Sequence, residues 1–383
     1  MSAYSEASPA LGVNQKWPQW LAVISLIYVI LLAVGMIGSG FKAATGNHAK
    51  ELFEFAANPF MGLIIGTICT ALIQSSSTVT SIIVGMVSGG LPVATAIPMV
   101  MGANIGTTIT NTLVSLGHVR DKNEFKRAFS AATVHDFFNV ISVLIFLPLE
   151  IMFGFLEKAS AVIANFFLGG NAMSMSGLNF IKPITKPVIS AISDLLSTLG
   201  LSQTMAGAVT IILGIGLIFF AITLIGKLLK TLMVGKAKQV LHAAIGRGPL
   251  SGIGSGTLVT VLVQSSSTTT SLMVPLVGSG VFKVRDIYPF TLGANIGTCI
   301  TALLAATAIS GGNAVFALQI AIVHLVYNIL GVVVIYGIPF LREIPLILSE
   351  KLAGAAAERK LYAVGYVLGV FFITPGLLIM VSR

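Results

Sequence analysis

Residues 66–90 read GTICTALIQSSSTVTSIIVGMVSGG, and residues 256–280 read GTLVTVLVQSSSTTTSLMVPLVGSG. More than half of the aligned positions are identical, and the shared centre is QSSST, at Gln74–Thr78 and again at Gln264–Thr268, 190 positions later. Consecutive hydroxyl groups and an amide are costly at membrane depth unless they bind something. The two copies therefore predict one binding site built from the two halves of a duplicated membrane protein.

The composition is that of an integral membrane protein. Hydrophobic residues make up 55% of the chain and charged residues only 9%, and the mean hydropathy is +0.97. Several apolar runs reach the roughly 20 residues that cross a bilayer as a helix. We predict an all-α polytopic membrane protein. The formal net charge of +9 comes from loops between apolar runs, which is the positive-inside pattern and not a nucleic-acid-binding surface.

The duplication extends well beyond QSSST. GANIGT occurs at 102–107 and 293–298, and Val134-His135 with Asn139 matches Val323-His324 with Asn328. Ordered matches over such a length indicate an internal repeat. We therefore divide the chain into the following segments: 1–16, a cytoplasmic N-terminal segment; 17–153, repeat one; 154–204, an extracellular or periplasmic loop with a connecting segment; 205–341, repeat two; and 342–383, a cytoplasmic loop and a final transmembrane helix at about 361–381.

Loop charge predicts that the repeats have inverted topology. The loop at 118–127 is strongly basic, whereas its counterpart near 310–313 has no charge, and the basic segment 227–247 matches a mixed segment at 39–57. Equivalent loops that differ in basic content face opposite sides of the membrane. We place 118–127, 227–247 and 342–360 in the cytoplasm and 154–187 outside.

Each QSSS cluster separates two apolar flanks that are too short to span. Leu63–Ile73 and Val79–Val87 each have about half the length needed. This pattern predicts a re-entrant helical hairpin with a polar tip, which is tolerated only inside protein or beside water. The two GANIGT segments predict a broken transmembrane helix in each repeat, although their glycines could instead allow close helix packing.

The tips have the chemistry to hold a small oxyanion. Hydroxyls and helix N-terminal N–H groups donate to an oxyanion, while hydroxyl and carbonyl oxygens accept towards a cation. Neither Leu63–Leu116 nor Leu250–Phe282 contains a Lys or Arg. A bound anion must therefore bring mobile cations with it or rely on helix dipoles, which favours cation coupling over a basic anion pore.

Several further polar residues allow two interpretations. Asp136 is either an intramembrane cation or proton site or a residue at the end of a span near Arg127. His135 and His324 are either core residues bonded to backbone or groups that orient a ligand or sense pH. Isolated serines commonly bond only their own helix. We find no nucleophile elbow, zinc cluster or phosphate loop and predict that the protein is not an enzyme.

The chain resembles the type II sodium/phosphate cotransporters, in particular their bacterial members. The matching segments are TALIQSSSTVTS (70–81), MGANIGTTITNT (101–112), FKRAFSAATVHDFFN (125–139), TVLVQSSSTTTS (260–271) and YPFTLGANIGT (288–298).

The resemblance implies secondary active, sodium-coupled uptake of inorganic phosphate, with sodium ions as the co-transported species and no organic cofactor. It implies phosphate contacts at the two tips and at the GANIGT asparagines, namely Gln74, Ser75, Ser76, Ser77, Gln264, Ser265, Ser266, Ser267, Asn104 and Asn295. It implies sodium contacts at Asp136, Asn139, Thr298, Ser265, Gln264 and Thr107. Relatives with the aspartate move net charge, so Asp136 implies electrogenic transport of divalent phosphate.

Two rival hypotheses remain at this stage. The hydroxyl-rich tips could serve a sodium-coupled carrier of another oxyanion or of a carboxylate, or the chain could be a membrane scaffold with an inactive transporter fold. We expect phosphate, sodium and membrane lipid as partners, a possible homo-oligomer, no nucleic acid, and a multi-pass location in the plasma membrane, as a bacterial inner-membrane protein.

Overall fold

The computed structural model describes residues 17–45, 58–169, 181–244, 247–309 and 313–381, and within these ranges all regular structure is helical. The all-α prediction is thus confirmed. Six helical segments are long and apolar enough to cross a membrane: Trp17–Ala44, Val93–His118, Lys122–Phe153, Gln203–Ile225, Val284–Thr307 and Ala314–Tyr336. The protein is therefore a multi-pass membrane protein.

The helices follow one another with short connections. Their bounds are α1 Trp17–Thr45, α2 Pro59–Ile73, α3 Ser76–Ser88, α4 Val93–Gly106, α5 Ile109–Ser115, α6 Lys122–Phe153, α7 Phe155–Gly169, α8 Ile181–Thr198, α9 Gln203–Ala244, α10 Pro249–Val263, α11 Ser266–Ser271, α12 Met273–Gly278, α13 Val284–Thr307, α14 Ala314–Gly331, α15 Pro339–Glu358, α16 Leu361–Leu368 and α17 Thr374–Val381. Five-residue π-helical stretches continue α14 and α16.

Both QSSS segments break the helix, as the sequence predicts. Gln74 ends α2 in the left-handed conformation (φ 58°, ψ 28°), and Ser75 is extended and accepts a hydrogen bond from the Thr78 N–H at 3.2 Å. In repeat two, Gln264 ends α10 at φ 56° and Ser265 caps α11 in the same way. A serine N-cap supplies an acceptor for a first-turn N–H group that has no partner within its own helix.

Close helix packing shows that each break is the tip of a hairpin. Gly62 lies against Pro98, and Gly106 lies against Thr67, so α2 and α4 run in the same direction. The intervening α3 must therefore run back from the tip. Repeat two has the same order, because Gly252 lies against Pro289 and Gly297 against Thr257. Whether these hairpins are re-entrant within a bilayer stays a prediction.

The prediction of a broken helix in each repeat is right for repeat one and wrong for repeat two. Repeat one breaks between α4 and α5, at Thr107-Thr108, whereas α13 runs through GANIGT without interruption. The physical reason is that the glycines serve close approach. A Cβ on Gly293 would overlap the carbonyl of Ile253 on α10, so this position must lack a side chain.

Equivalent helices of the two repeats pack against each other in antiparallel fashion. On α1 and α9, Gly40 lies against Gly207, and Gly214 lies against Ile37 and Ala33. On α6 and α14, Gly331 lies against Ser142, while the rings of Phe146 and Tyr327 are 5.8 Å apart. Residue numbers rise on one helix as they fall on its partner in both pairs.

The segments expected to be loops are largely helical. The segment 154–204 contains α7 and α8, 342–360 lies almost entirely in α15, and the basic segment 227–247 continues α9 as far as Ala244. Charged residues were taken as loop signals, but a helix that passes beyond the bilayer or lies along its surface bears charge as readily as a loop does. Residues 46–57 and 310–312, used in the charge comparison, lie outside the described residues.

Candidate functional site at the hairpin tips

The two hairpin tips meet inside the protein. The Ser267 hydroxyl donates a hydrogen bond of 3.4 Å to the main-chain carbonyl of Gln74, across 193 positions of sequence. Ser76, Ser77 and Ser266 are each no more than 3% exposed, which places polar side chains inside the bundle. The first turns of α3 and α11 begin at this contact, so their N–H groups face the junction of the tips.

The two tip glutamines differ in their engagement. The Gln264 amide donates to the Val261 carbonyl (2.7 Å) and accepts from the Thr301 hydroxyl (3.0 Å). Gln74 is exposed, and the Thr110 hydroxyl, which is equivalent to that of Thr301, is buried without a hydrogen-bond partner among the described residues. The tip of repeat two is therefore held in place, while the amide of Gln74 is accessible.

The serines at the two caps are partly occupied by their own helices. The hydroxyls of Ser75 and Thr78 are 2.8 Å apart, and those of Ser265 and Thr268 are 3.0 Å apart. Each cap hydroxyl also accepts from the N–H of that threonine. Ser75 and Ser265 thus shape the tips, so a ligand there would meet hydroxyl groups whose directions are already fixed.

The GANIGT asparagines join the repeats through a reciprocal network. Asn295 donates to the Asn139 amide oxygen (2.8 Å) and lies 2.7 Å from His135 Nε2. Asn104 donates to Asn328 (2.8 Å), and its Oδ1 lies 3.1 Å from His324 Nε2. Each asparagine is bound by the histidine and asparagine of the opposite repeat.

This exchange has the form of an isologous contact, in which two equivalent groups swap partners about a two-fold axis. Both side-chain amides are fully engaged, so a direct contact of phosphate with Asn104 or Asn295 would require these bonds to break. The histidines bond side-chain amides, not the backbone, and thereby orient the asparagines. Asn328 is as deeply involved as Asn139, and its match in the repeat was the signal that could have placed it in the site.

Asp136 lies near the middle of α6 and is only 1% exposed. Its Oδ2 accepts a hydrogen bond of 3.1 Å from the Tyr366 hydroxyl, and its Oδ1 has no hydrogen-bond partner among the described residues. Arg127, the basic residue considered as its neighbour, instead donates to the Gly278 carbonyl at 2.8 Å. The position at a span end is therefore wrong, since Asp136 is a buried mid-helix carboxylate.

The remaining basic group beside this helix is also engaged elsewhere. The ammonium group of Lys360 lies 3.9 Å from the centre of the Phe125 ring. Burial lowers the pKa of Lys360, with a smaller contribution from the positive charge of Lys122. A cation over a ring face is attracted by the ring quadrupole, so its preferred partner at this end of α6 is aromatic.

The predicted sodium ligands do not all come together. Asn139 donates to the Asn104 carbonyl at 2.8 Å and joins the network. Thr107 and Thr298 bond the carbonyls of Ala103 and Ala294, one turn back on their own helices. One contact that sequence reasoning missed is the 3.0 Å bond from Thr270 to Asn111, which ties α11 to α5. Its only sequence signal was the unusual density of polar residues after GANIGT.

Paired helical hairpins that meet at polar tips within a bundle of spanning helices are typical of secondary transporters. The family described as Na+/Pi-cotransporter matches residues 29–182 and 217–342. The chain belongs to this family.

Two curated relatives illustrate the similarity. The chain is 34% identical over 429 residues to sodium-dependent phosphate transport protein 2A of Oryctolagus cuniculus, an alignment that covers 94% of this chain and 67% of the relative. It is 32% identical over 443 residues to sodium-dependent phosphate transport protein 2B of Homo sapiens, covering 93% of this chain and 64% of the relative. The chain thus spans about two thirds of their length. The search of solved structures gives no match.

Proposed function

We propose that this protein imports inorganic phosphate by sodium-coupled symport. The names of its relatives support phosphate as the substrate and sodium as the coupling ion. The observation that supports the location of the site is the contact between Ser267 and Gln74, because it joins two hairpin tips that have no lysine or arginine of their own. Transport, and not catalysis, is the activity that these features favour.

The chemistry of the tips suits a phosphate ion accompanied by sodium. Serine hydroxyls and first-turn N–H groups donate to the oxygens of the anion, whereas carbonyl and amide oxygens coordinate sodium. Without a fixed buried cation, the charge of a dianion stays uncompensated until sodium binds. Coupling follows, since phosphate binds tightly only when sodium is present.

We assign residue roles as the resemblance implies. Gln74, Gln264 and the serines beside them contact phosphate, and Asp136 and Asn139 contact sodium, as do Thr107 and Thr298 once the local backbone rearranges. The engaged amides of Asn104 and Asn295 favour a supporting role, in which they hold the two repeats in register around the tips.

We further propose that the repeats are inverted and that alternating access moves one against the other. The antiparallel packing of α1 with α9 and of α6 with α14 supports this, because an axis in the membrane plane reverses the direction of equivalent helices. Asp136 supports electrogenic transport. Moving one net charge across about 100 mV provides about 2.3 kcal/mol for uptake.

The location that fits this function is a bacterial inner membrane, with lipid around the bundle. Phosphate and sodium act as transported species, so the mechanism needs no organic cofactor. A homo-oligomer stays a prediction that the contacts within one chain do not address.

The decisive experiment is uptake of labelled phosphate by liposomes that contain the purified protein. We expect uptake under an inward sodium gradient and only background under an equal potassium gradient. Equal uptake in both media would contradict sodium coupling. Competition by arsenate, sulfate and dicarboxylates identifies the preferred anion, and a stronger effect of sulfate or a dicarboxylate than of unlabelled phosphate would favour the alternative carrier.

A further inference from the structure

The final helical segment contacts the centre of repeat one. Tyr366 lies on α16, outside both repeats, and its hydroxyl donates to Asp136 Oδ2 at 3.1 Å across 230 positions of sequence. Its ring packs among phenylalanines, with centroid distances of 6.4 Å to Phe129, 5.9 Å to Phe137 and 6.4 Å to Phe371. The ring is therefore fixed by packing, and the direction of its hydroxyl group is fixed with it.

The carboxylate of Asp136 is only half satisfied. One oxygen accepts from Tyr366, while Oδ1 is buried and has no hydrogen-bond partner in the described part of the chain. A buried carboxylate with a free oxygen is costly unless a ligand completes it. The free oxygen is thus the atom that a cation would bind, and the tyrosine is the group that determines where this oxygen points.

We propose that Tyr366 is a positioning residue of the cation site, and that the last helical segment therefore belongs to the transport machinery. This inference rests on the proposed sodium-coupled function, in which Asp136 is a sodium ligand. Tyr366 holds Oδ2, so that Oδ1 stays directed at the ion without the cost of ordering the carboxylate during each transport cycle.

The alternative is that Tyr366 only fills space between α6 and α16. Tyr366→Phe separates the two roles, since phenylalanine keeps the ring and its aromatic contacts and loses only the hydroxyl group. Tyr362→Phe is the matched control, because Tyr362 lies one turn earlier on the same helix and is 52% exposed.

The test measures phosphate uptake in liposomes at a series of sodium concentrations. For Tyr366→Phe we expect the sodium concentration at half-maximal uptake to rise about tenfold, which corresponds to ~1.4 kcal/mol. The half-saturating phosphate concentration at saturating sodium should stay within about twofold, and Tyr362→Phe should match the wild type. A purely structural role would lower the amount of active protein without this shift in sodium dependence.

A second measurement keeps the proposal testable where a variant transports poorly. The sodium-dependent rise in melting temperature of the purified protein reports binding alone. In Asp136→Gly, adding Tyr366→Phe should change this rise no further, because the hydroxyl acts through the carboxylate. An unchanged sodium dependence in Tyr366→Phe, or equal effects in the presence and absence of Asp136, would overturn the inference. Absence of sodium-dependent uptake in the wild type would instead overturn the proposed function.

Discussion

The reciprocal asparagine network should be a main source of stability, and its two halves should contribute equally. Asn295→Ala removes the contacts with His135 and Asn139, and Asn104→Ala removes those with His324 and Asn328 (the latter set at 3.1 and 2.8 Å). All four bonds are buried. Each substitution leaves a histidine and an asparagine of the opposite repeat without a partner.

The expected magnitude follows from this count. Hydrogen bonds between helices in a membrane contribute ~0.6 kcal/mol on average and up to ~1.7 kcal/mol. Two lost bonds therefore predict a loss of about 1–3 kcal/mol in the free energy of unfolding, at the upper end because buried groups are left unsatisfied. Both variants should lose similar amounts.

The assay is unfolding of the purified protein in detergent micelles, followed by helical content. Asn123→Ala is the control, since Asn123 is exposed at the start of α6 and its substitution should change the free energy by less than about 0.5 kcal/mol. The double variant His135→Ala/Asn295→Ala should lose less than the sum of the single losses, because the two residues share one bond. A large loss for one asparagine with none for the other would refute the reciprocal arrangement.

Three other predictions concern transport and packing. Ser265→Ala and Gln74→Ala should each abolish phosphate uptake in liposomes while the protein still inserts, whereas the exposed Ser279→Ala should transport normally; near-normal uptake in either tip variant would count against the site. Asp136→Gly should remove the phosphate-induced current, and a current of unchanged size would exclude Asp136 as the ligand responsible for net charge movement. Gly66→Ala should prevent stable folding, because a Cβ would overlap the backbone of α4, whereas Gly117→Ala, which meets nothing within 4 Å, should melt like the wild type.

The sequence predicted the helix breaks well because the signal was local. Four polar side chains between two short apolar flanks cannot continue a spanning helix, and Gln74 and Gln264 both adopt the left-handed conformation at the predicted place. The GANIGT prediction failed in repeat two for the opposite reason. Glycine is compatible with a break and with close packing, and the choice depends on the neighbouring helix, which periodicity does not reveal.

The partners of individual side chains were beyond the sequence. Asp136 was recognised as an unusual buried acid, yet nothing near it in sequence indicates Tyr366, because the two residues meet only after the last helix packs on α6. Likewise, the repeat pattern paired His135 with His324 but did not show that each bonds the asparagine of the other repeat. The helical content of 154–204 was missed, since charge alone was read as a loop signal.

Sequence by itself determined the membrane class, the duplication, the hairpin tips and the family resemblance, because hydropathy and repeated motifs are properties of contiguous residues. Tertiary structure alone decided that the tips touch, that equivalent helices run antiparallel, and that the asparagines exchange partners. These contacts join residues about 150 to 230 positions apart, and their geometry depends on helix packing that no local pattern encodes.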